Sequence, residues 1–319
     1  MNHRRKRLET MSKQWKDRPP LHTGRFAHAA ATTHGHIYVI GGADANVALN
    51  SVEFRRIHGD SEWHEVAPMP TARGNHGVGV VDGMIYAVGG IIEGDHGTDV
   101  VERYDPFSDR WTTAPPLPSP RTVTSAAGLG GLLYVAGGVI DENDTDEHAT
   151  DSVLVFDPRE ERWSPVASML SPRARHRLVA AGGHLYSIGG LRSFFQEAFS
   201  TVERYAPKSD TWEAVRSMHQ PRALPGATVL GGDDGDRIVV VGGGPGPFQD
   251  RLSRHRTTEI YDLRTGKWHL LSTLLPRGRS SLAAAPESEN TVLAISGSTT
   301  VDRVPTLTPD VLALKLPAA

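Results

Sequence analysis

The sequence predicts an all-β fold, a six-bladed β-propeller in which six four-stranded antiparallel sheets form a closed ring. Three observations predict it: a recurring double glycine at the end of an apolar run, a tryptophan with the same spacing, and a further apolar run between them. The repeat length is about 50 residues over a chain of 319. The strand-like runs alternate with period two, and no segment shows a convincing helical period.

The first two strands of each repeat are joined by a tight turn such as Asp82-Gly83 or Gly130-Gly131, which suits a two-residue hairpin. The second strand ends in the double glycine, which we attribute to crowding of the blades near the channel axis. The copies are GHIYVIGG (35–42), DGMIYAVGG (82–90), GGLLYVAGG (130–138), GGHLYSIGG (182–190), DRIVVVGG (236–243) and the degenerate NTVLAISGS (290–298).

A third strand follows a loop of variable length, and a short fourth strand carries the tryptophan. We expect each indole ring to fill the wedge between neighbouring blades and to find a partner for its N–H. The third strands are VEFRRI (52–57), VERYDP (101–106), VLVFDP (153–158), VERYAP (202–207) and TEIYDL (258–263), and the tryptophans are Trp15, Trp63, Trp111, Trp163, Trp212 and Trp268.

The last repeat is incomplete, because VLALK (311–315) supplies a third strand and no tryptophan strand follows it. Trp15 has no strands before it. We therefore expect residues 12–17 to add the outer strand of the last blade and close the ring. The predicted organisation is a flexible basic N-terminus over residues 1–11 and a single propeller over residues 12–319.

These repeats resemble the kelch repeat over residues 12–315, in the double glycine, the Tyr-Asp-Pro-like third strand and the spaced tryptophan. The resemblance implies a six-bladed kelch propeller with four antiparallel strands per blade. It also implies that a functional site lies at a channel mouth, on loops and at the start of the innermost strands. A propeller hosts many functions, so the site has to be argued from its residues.

Composition excludes several classes of protein and site. The chain has no cysteine, so it has no disulfide, no thiolate zinc site and no cysteine nucleophile. The net charge of −3 does not predict a nucleic-acid partner. We expect no membrane span and no secretory signal, because neither a long apolar run nor an apolar segment after the basic start is present. The expected location is the cytoplasm.

We predict no cofactor and no metal site. There is no HExxH motif, and the acidic loop 141–151 lacks the glycine of a calcium loop, although weak calcium binding there stays open. Copper chemistry of the galactose-oxidase type needs a cysteine cross-linked to tyrosine. The iron pattern of the plant specifier proteins is not matched, since Glu142 and Asp146 are followed by Thr150 at the histidine position.

Candidate ligand-binding residues come from two sets. The first is the position two residues after the arginine that opens each repeat, where Asn75, Arg175 and Arg279 are polar beside Ala27, Val123 and Leu224. The second is the loop after each double glycine, where Phe194, Phe195 and Phe248 would form an apolar lid and Arg251 and Arg254 a basic edge. We interpret as architectural the repeat arginines Arg25, Arg73, Arg121, Arg173, Arg222 and Arg277, and also His28, His76 and His176.

Two functions stay open. The first is a kelch-type binding module that recognises an acidic protein segment or a small anionic or polar ligand at the channel mouth. The alternative is a cofactor-independent isomerase, mutarotase or cyclase, because the chain is similar in size and blade number to the sialic-acid mutarotases. Glu197 and Arg192 would then be the catalytic residues. The oligomeric state stays open under both hypotheses.

Overall fold

Six four-stranded antiparallel sheets follow one another along the chain in the computed structural model of the protein, which confirms the predicted propeller. The structure describes residues 14–58, 62–94, 96–140, 148–193, 196–231, 236–246, 253–301 and 304–316. All of the regular elements in these ranges are strands. The predicted boundary between a flexible terminus and the propeller lies outside the described residues.

The first blades follow a short N-terminal strand, β1 (Lys16–Arg18). Blade 1 contains β2 (Ala29–Thr33), β3 (His36–Ile40), β4 (Val52–Arg56) and β5 (His64–Val66); blade 2 contains β6 (Gly77–Val81), β7 (Met84–Val88), β8 (Val101–Asp105) and β9 (Arg110–Ala114); blade 3 contains β10 (Ser125–Leu129), β11 (Leu132–Ala136), β12 (Val153–Asp157) and β13 (Arg162–Val166).

The remaining blades follow the same order, and the last also includes β1. Blade 4 contains β14 (Arg177–Ala181), β15 (His184–Ile188), β16 (Val202–Ala206) and β17 (Thr211–Val215); blade 5 contains β18 (Gly226–Leu230), β19 (Arg237–Val241), β20 (Thr258–Asp262) and β21 (Lys267–Leu270); blade 6 contains β22 (Ala283–Ser288), β23 (Thr291–Ile295) and β26 (Val311–Lys315). A hairpin that the repeat pattern did not predict, β24 (Ser298–Val301) and β25 (Val304–Leu307), lies between β23 and β26.

The N-terminal strand completes the last blade, as predicted. β1 pairs antiparallel with β26, with Lys16 opposite Ala313 and Arg18 opposite Val311. Further along, the Leu21 N–H donates to the Pro309 carbonyl over 3.0 Å. The first and last strands therefore share one sheet, and β26 has a partner on both edges.

The hydrophobic core lies between the blades. Six clusters of buried side chains each combine residues of two neighbouring blades, and the cluster between blades 6 and 1 contains Trp63, Ile37 and Leu293. Five of the six indole N–H groups bridge neighbouring blades as predicted, whereas the Trp15 N–H is buried without a hydrogen-bond partner among the described residues. Each of five donates over 2.7–3.0 Å to a carbonyl of the preceding blade: Trp63 to Pro19, Trp111 to Ala67, Trp163 to Pro115, Trp212 to Ala167 and Trp268 to Arg216.

The double glycines make room for the next blade rather than for the channel axis. A Cβ on Gly89 would lie 2.4 Å from the carbonyl oxygen of Arg121, and φ is +61° at this glycine. The following glycine, Gly90, donates its N–H to that same carbonyl over 2.9 Å. Only a residue without a side chain permits this approach. The same bond recurs from Gly42 to Arg73, Gly138 to Arg173, Gly190 to Arg222, Gly243 to Arg279 and Gly297 to Arg25.

Candidate functional site

A ring of six residues surrounds one mouth of the channel, at the end where the loops between blades lie. Each member lies two residues before the innermost strand of its blade begins and has a left-handed backbone, with φ between 45° and 58°. Among the described residues, backbone N–H to carbonyl bonds of 2.8–3.2 Å link neighbouring members at five of the six joints. The mouth ring consists of Ala27, Asn75, Val123, Arg175, Leu224 and Ser281.

The arginine two residues before each ring member holds the ring in place, which confirms the architectural interpretation of the repeat arginines of blades 1 to 5. Arg173 shows the arrangement: Nη1 donates to the carbonyls of Gly189 and Thr201 at 2.8 and 3.0 Å, and Nη2 contacts the Glu203 carboxylate at 2.7 Å. The other buried arginine–glutamate pairs are Arg25–Glu53, Arg73–Glu102 and Arg222–Glu259.

Blade 3 departs from this pattern. Leu154 stands opposite Val135 on the third strand, at the position that glutamate takes in blades 1, 2, 4 and 5. Arg121 keeps the bonds to the Gly137 and Ser152 carbonyls and to the Ser152 hydroxyl, as Arg25 does in blade 1, but lacks the bond to a carboxylate. Burial lowers the pKa of Arg121 to about 10, so the guanidinium is charged at neutral pH without a carboxylate partner among the described residues.

Arg279 is the repeat arginine of blade 6, so the sequence alignment of this repeat was wrong by two residues. Its Nη1 donates to the Asp310 carbonyl at 2.9 Å, and its own carbonyl accepts from Gly243. Arg279 is therefore an architectural residue, and Ser281 occupies the ring position that it was predicted to fill. Arg277 does not take the architectural role.

Asn75 and Arg175 both lie in the mouth ring, as predicted. They line one small well of about 10 Å³ together with apolar ring members and with His28, His76 and Arg177 behind them. Arg175 is 8% exposed, and its backbone N–H donates to the Val123 carbonyl over 3.0 Å. A volume of this size holds about one water molecule or one terminal group of a larger ligand. No acidic side chain of the described chain lines the well.

The three equivalent histidines are buried directly below the ring. Burial and the neighbouring arginines, Arg73 beside His76 and Arg173 beside His176, lower the pKa of each of these two imidazoles to about 3. The pKa of His28 is lowered well below its ordinary value, chiefly by burial. The histidines are therefore neutral at physiological pH and add no positive charge to the mouth.

Arg177 is the residue that the sequence interpretation missed. It begins the innermost strand of blade 4, and its side chain crosses the channel to donate from Nε to the Pro225 carbonyl at 2.7 Å and from Nη2 to the Leu282 carbonyl at 3.2 Å. Burial lowers its pKa to about 10. The equivalent positions hold small residues in the other blades, and a comparison of the repeats at this column would have found the exception: Ala29, Gly77, Ser125, Gly226 and Ala283.

Arg177 also lines a partly open cavity of about 80 Å³ in the channel. Its walls come from all six blades and combine small or aliphatic side chains, such as Ala30, Val78 and Ala227, with polar groups of the chain. His28, His76, Thr124 and Arg177 line both this cavity and the well above it.

Arg254 was predicted to bind a ligand, and the structure places its guanidinium among hydroxyl groups of the chain. Nε donates to the Ser280 hydroxyl at 3.0 Å, Nη2 to the Ser298 hydroxyl at 2.9 Å, and Nη1 to Thr300. Burial lowers its pKa. Arg254 thus ties the loop of blade 5 to the hairpin of β24 and β25.

Arg192 and Glu197, the predicted catalytic residues, are both exposed on the loop after the second strand of blade 4. Neighbouring loops hold this loop on both sides, since Ala149 donates to the Arg192 carbonyl at 2.8 Å and Ala198 donates to the Pro245 carbonyl at 2.9 Å. The remaining predicted ligand-binding residues lie outside the described residues: Phe194, Phe195, Phe248 and Arg251.

A larger cleft, of about 470 Å³, lies at the opposite end of blades 3 and 4. Hairpin turns and strand ends line it, among them Leu132, Tyr134 and His184. Within the described ranges, no group of three histidine or acidic side chains could hold a metal ion, and no helix is long and apolar enough to cross a membrane. The predicted acidic loop lies mostly outside those ranges, because residues 141–147 are not described.

Comparison with known proteins adds three findings. The model of the family described as "KLHDC2/KLHL20/DRC7 Kelch-repeats domain" matches residues 6–190, and the "Kelch motif" matches residues 172–219 and 221–275. No curated protein sequence matches the chain. The solved structure titled "Structure of YjhT" is similar, with a TM-score of 0.76 and 18% identity over 92% of this chain and 96% of that chain. At this identity the likeness concerns the fold.

Proposed function

Since the chain belongs to the kelch-repeat family, we propose that it is a binding module that recognises an acidic protein segment at the channel mouth. The observation that carries the proposal is the composition of the well in the mouth ring. Its two charged side chains, Arg175 and Arg177, are both arginines, and the amide of Asn75 is beside them. Guanidinium groups bind carboxylates through charge-assisted hydrogen bonds.

The size of the well favours a chain segment over a free small molecule. About 10 Å³ admits one terminal group such as a carboxylate, so the rest of the ligand has to lie over the loops. The loops at this face also expose aliphatic side chains from three blades: Val47 of blade 1 is 58% exposed, Ile140 of blade 3 44% and Val304 of blade 6 59%. Apolar contacts of this kind contribute to protein–protein interfaces.

The test is the binding of a fluorescein-labelled peptide of glutamates, followed by anisotropy, with a matched peptide of glutamines as the reference. We expect tighter binding of the glutamate peptide, weakened roughly tenfold or more by Arg175→Gln. Arg162→Gln, at a side chain 69% exposed on the outer strand of blade 3, is the matched control and should leave affinity unchanged. Equal affinities for both peptides, or an Arg175→Gln variant indistinguishable from the control, would overturn the proposal.

A cofactor-independent isomerase is the second candidate. The observation in its favour is the loop that carries Arg192 and Glu197, which neighbouring loops hold on both sides at the mouth face. An exposed carboxylate and a guanidinium on a fixed loop can hold an anionic sugar and move a proton at its anomeric centre. The test is the exchange of sialic-acid anomers by NMR, in which Glu197→Gln should abolish any acceleration. Exchange at the rate of buffer with the unmodified protein would exclude this activity.

A further inference from the structure

Arg177 places a guanidinium inside the channel with backbone carbonyls as its partners. Pro225 and Leu282, in two other blades, accept its hydrogen bonds. Across the described residues, no carboxylate forms a salt bridge with it, and burial is the sole cause that lowers its pKa. Carbonyl dipoles solvate a cation without neutralising it, so the positive charge stays in the channel.

The surroundings of Arg177 do not compensate this charge. The nearby arginines of blades 1, 2, 4 and 5 each have a glutamate, whereas Arg121 has Leu154 where the glutamate would stand. The histidines below the ring are neutral at physiological pH. Among the described residues, the channel therefore carries an excess of positive charge, which is costly to remove from water unless a counter-ion is present.

The cavity beside Arg177 suits a small anion. Its volume of about 80 Å³ exceeds that of a single water molecule and is too small for a bulky organic anion. Each innermost strand is the terminal strand of its sheet, so backbone groups along six strand edges face the channel. The Ser125 hydroxyl also lines the cavity, where it accepts the N–H of Leu178 at 2.9 Å and can donate its own hydrogen.

We propose that the channel binds one small monovalent anion of halide size beside Arg177, with N–H and O–H groups of the innermost strands completing its shell. Arg177 is the one arginine that lines this cavity within the described residues, and a single guanidinium favours a monovalent anion over a multiply charged one. This site lies inside the channel, and its existence does not depend on recognition of a partner at the mouth.

The first experiment compares the thermal unfolding midpoint in sodium chloride and in sodium gluconate at equal ionic strength and pH. Gluconate is too large for the cavity. We expect chloride to raise the midpoint of the unmodified protein by about 2 °C or more relative to gluconate, with a saturable dependence on chloride. In Arg177→Met the difference between chloride and gluconate should shrink to the non-specific salt effect. Arg162→Met is the control and should keep the full difference of the unmodified protein. Equal differences in all three proteins would overturn the proposal.

A second measurement keeps the test decisive should Arg177→Met fail to fold. Crystals of the unmodified protein grown in bromide should show an anomalous peak in the channel within hydrogen-bond distance of the Arg177 guanidinium. An anomalous map with no channel peak, in crystals that do show bromide elsewhere on the surface, would overturn the proposal regardless of how the variant behaves.

Discussion

Arg18 and Glu287, 269 positions apart in the sequence, form a bidentate pair in blade 6. Arg18 Nε donates to Oε1 at 2.8 Å and Nη2 to Oε2 at 2.6 Å. Arg55 of blade 1 donates to the same carboxylate at 2.7 Å. Burial raises the pKa of Glu287, but the hydrogen bonds and charges of the two arginines outweigh burial and lower it overall. This carboxylate thus joins the N-terminal strand, the last blade and the first blade.

Because β1 closes the ring, we expect deletion of the N-terminal segment to lower the thermal midpoint sharply. Deletion of residues 1–18 removes β1, Trp15 and Arg18, which uncovers an edge of β26 and part of the core between blades 5 and 6. We expect the thermal midpoint to fall by roughly 10 °C or more, measured by calorimetry. Deletion of residues 1–11 is the control and should leave the midpoint in place. A midpoint that survives the longer deletion would show that the ring does not depend on this strand.

The buried arginine–glutamate pairs predict a large difference between two carboxylate variants. Glu203→Leu leaves the Arg173 guanidinium, 1% exposed, without its partner, and should cost about 3 kcal/mol in the free energy of unfolding. The exposed pair of Arg204 and Glu213 is the comparison, and Glu213→Leu should cost less than about 1 kcal/mol. Urea unfolding measures both.

A double variant separates the loss of the partner from a general effect of the substitution. Arg173→Met combined with Glu203→Leu removes both charges, so it should recover part of the stability that Glu203→Leu alone loses. Similar losses from Glu203→Leu and Glu213→Leu would contradict the buried pair as a major determinant of stability.

The buried histidines predict that stability falls as the pH drops from about 6.5. His76 and His176 have a pKa of about 3 in the folded protein and near 6.5 when unfolded, so the unfolded chain binds protons first. Their contribution is complete above pH 6.5 and is lost progressively toward pH 3. At pH 5.5 each should cost about 1 kcal/mol.

Replacing the histidines by threonine, the residue that blade 3 has at this position, tests their contribution to the pH dependence of stability. Thr124 occupies the equivalent position there and donates to the Ala136 carbonyl at 3.0 Å. In His76→Thr/His176→Thr, the slope of unfolding free energy against pH between 5 and 7 should flatten, and each single variant should flatten it about half as much. A slope equal to that of the unmodified protein in the double variant would exclude these two groups.

The glycine contacts predict different costs at two glycines with similar backbones. Gly89→Ala combines a φ of +61° with a Cβ 2.4 Å from the Arg121 carbonyl oxygen, and should cost several kcal/mol. Gly183→Ala has a φ of +75° and no atom within 4 Å of the added Cβ, so only backbone strain of about 1 kcal/mol is expected. Chemical denaturation compares them, and equal costs would refute the steric role of the double glycine.

The repeat pattern alone determined the number of blades, the four strands of each, the closure by the N-terminal strand and the architectural role of Arg25 and its equivalents in blades 2 to 5. Periodicity carries this information because every blade solves the same packing problem with the same residue types at the same positions. Small residues at the first position of the innermost strand, with Arg177 as the exception, were also visible in the sequence. The sequence did not show which groups Arg177 contacts.

Only the tertiary structure decided which side chains meet. Arg177 bonds a carbonyl 105 residues away, and Arg254 bonds hydroxyls of a hairpin that has no counterpart in the described parts of the other blades. The repeat period assigns equivalent positions but does not state what lies across the channel or beside a unique loop. Those contacts depend on how the six blades close around a common axis. For this reason Arg279, predicted to bind a ligand at the mouth, holds the mouth ring in place, and Arg177, which was not predicted, lies in the channel.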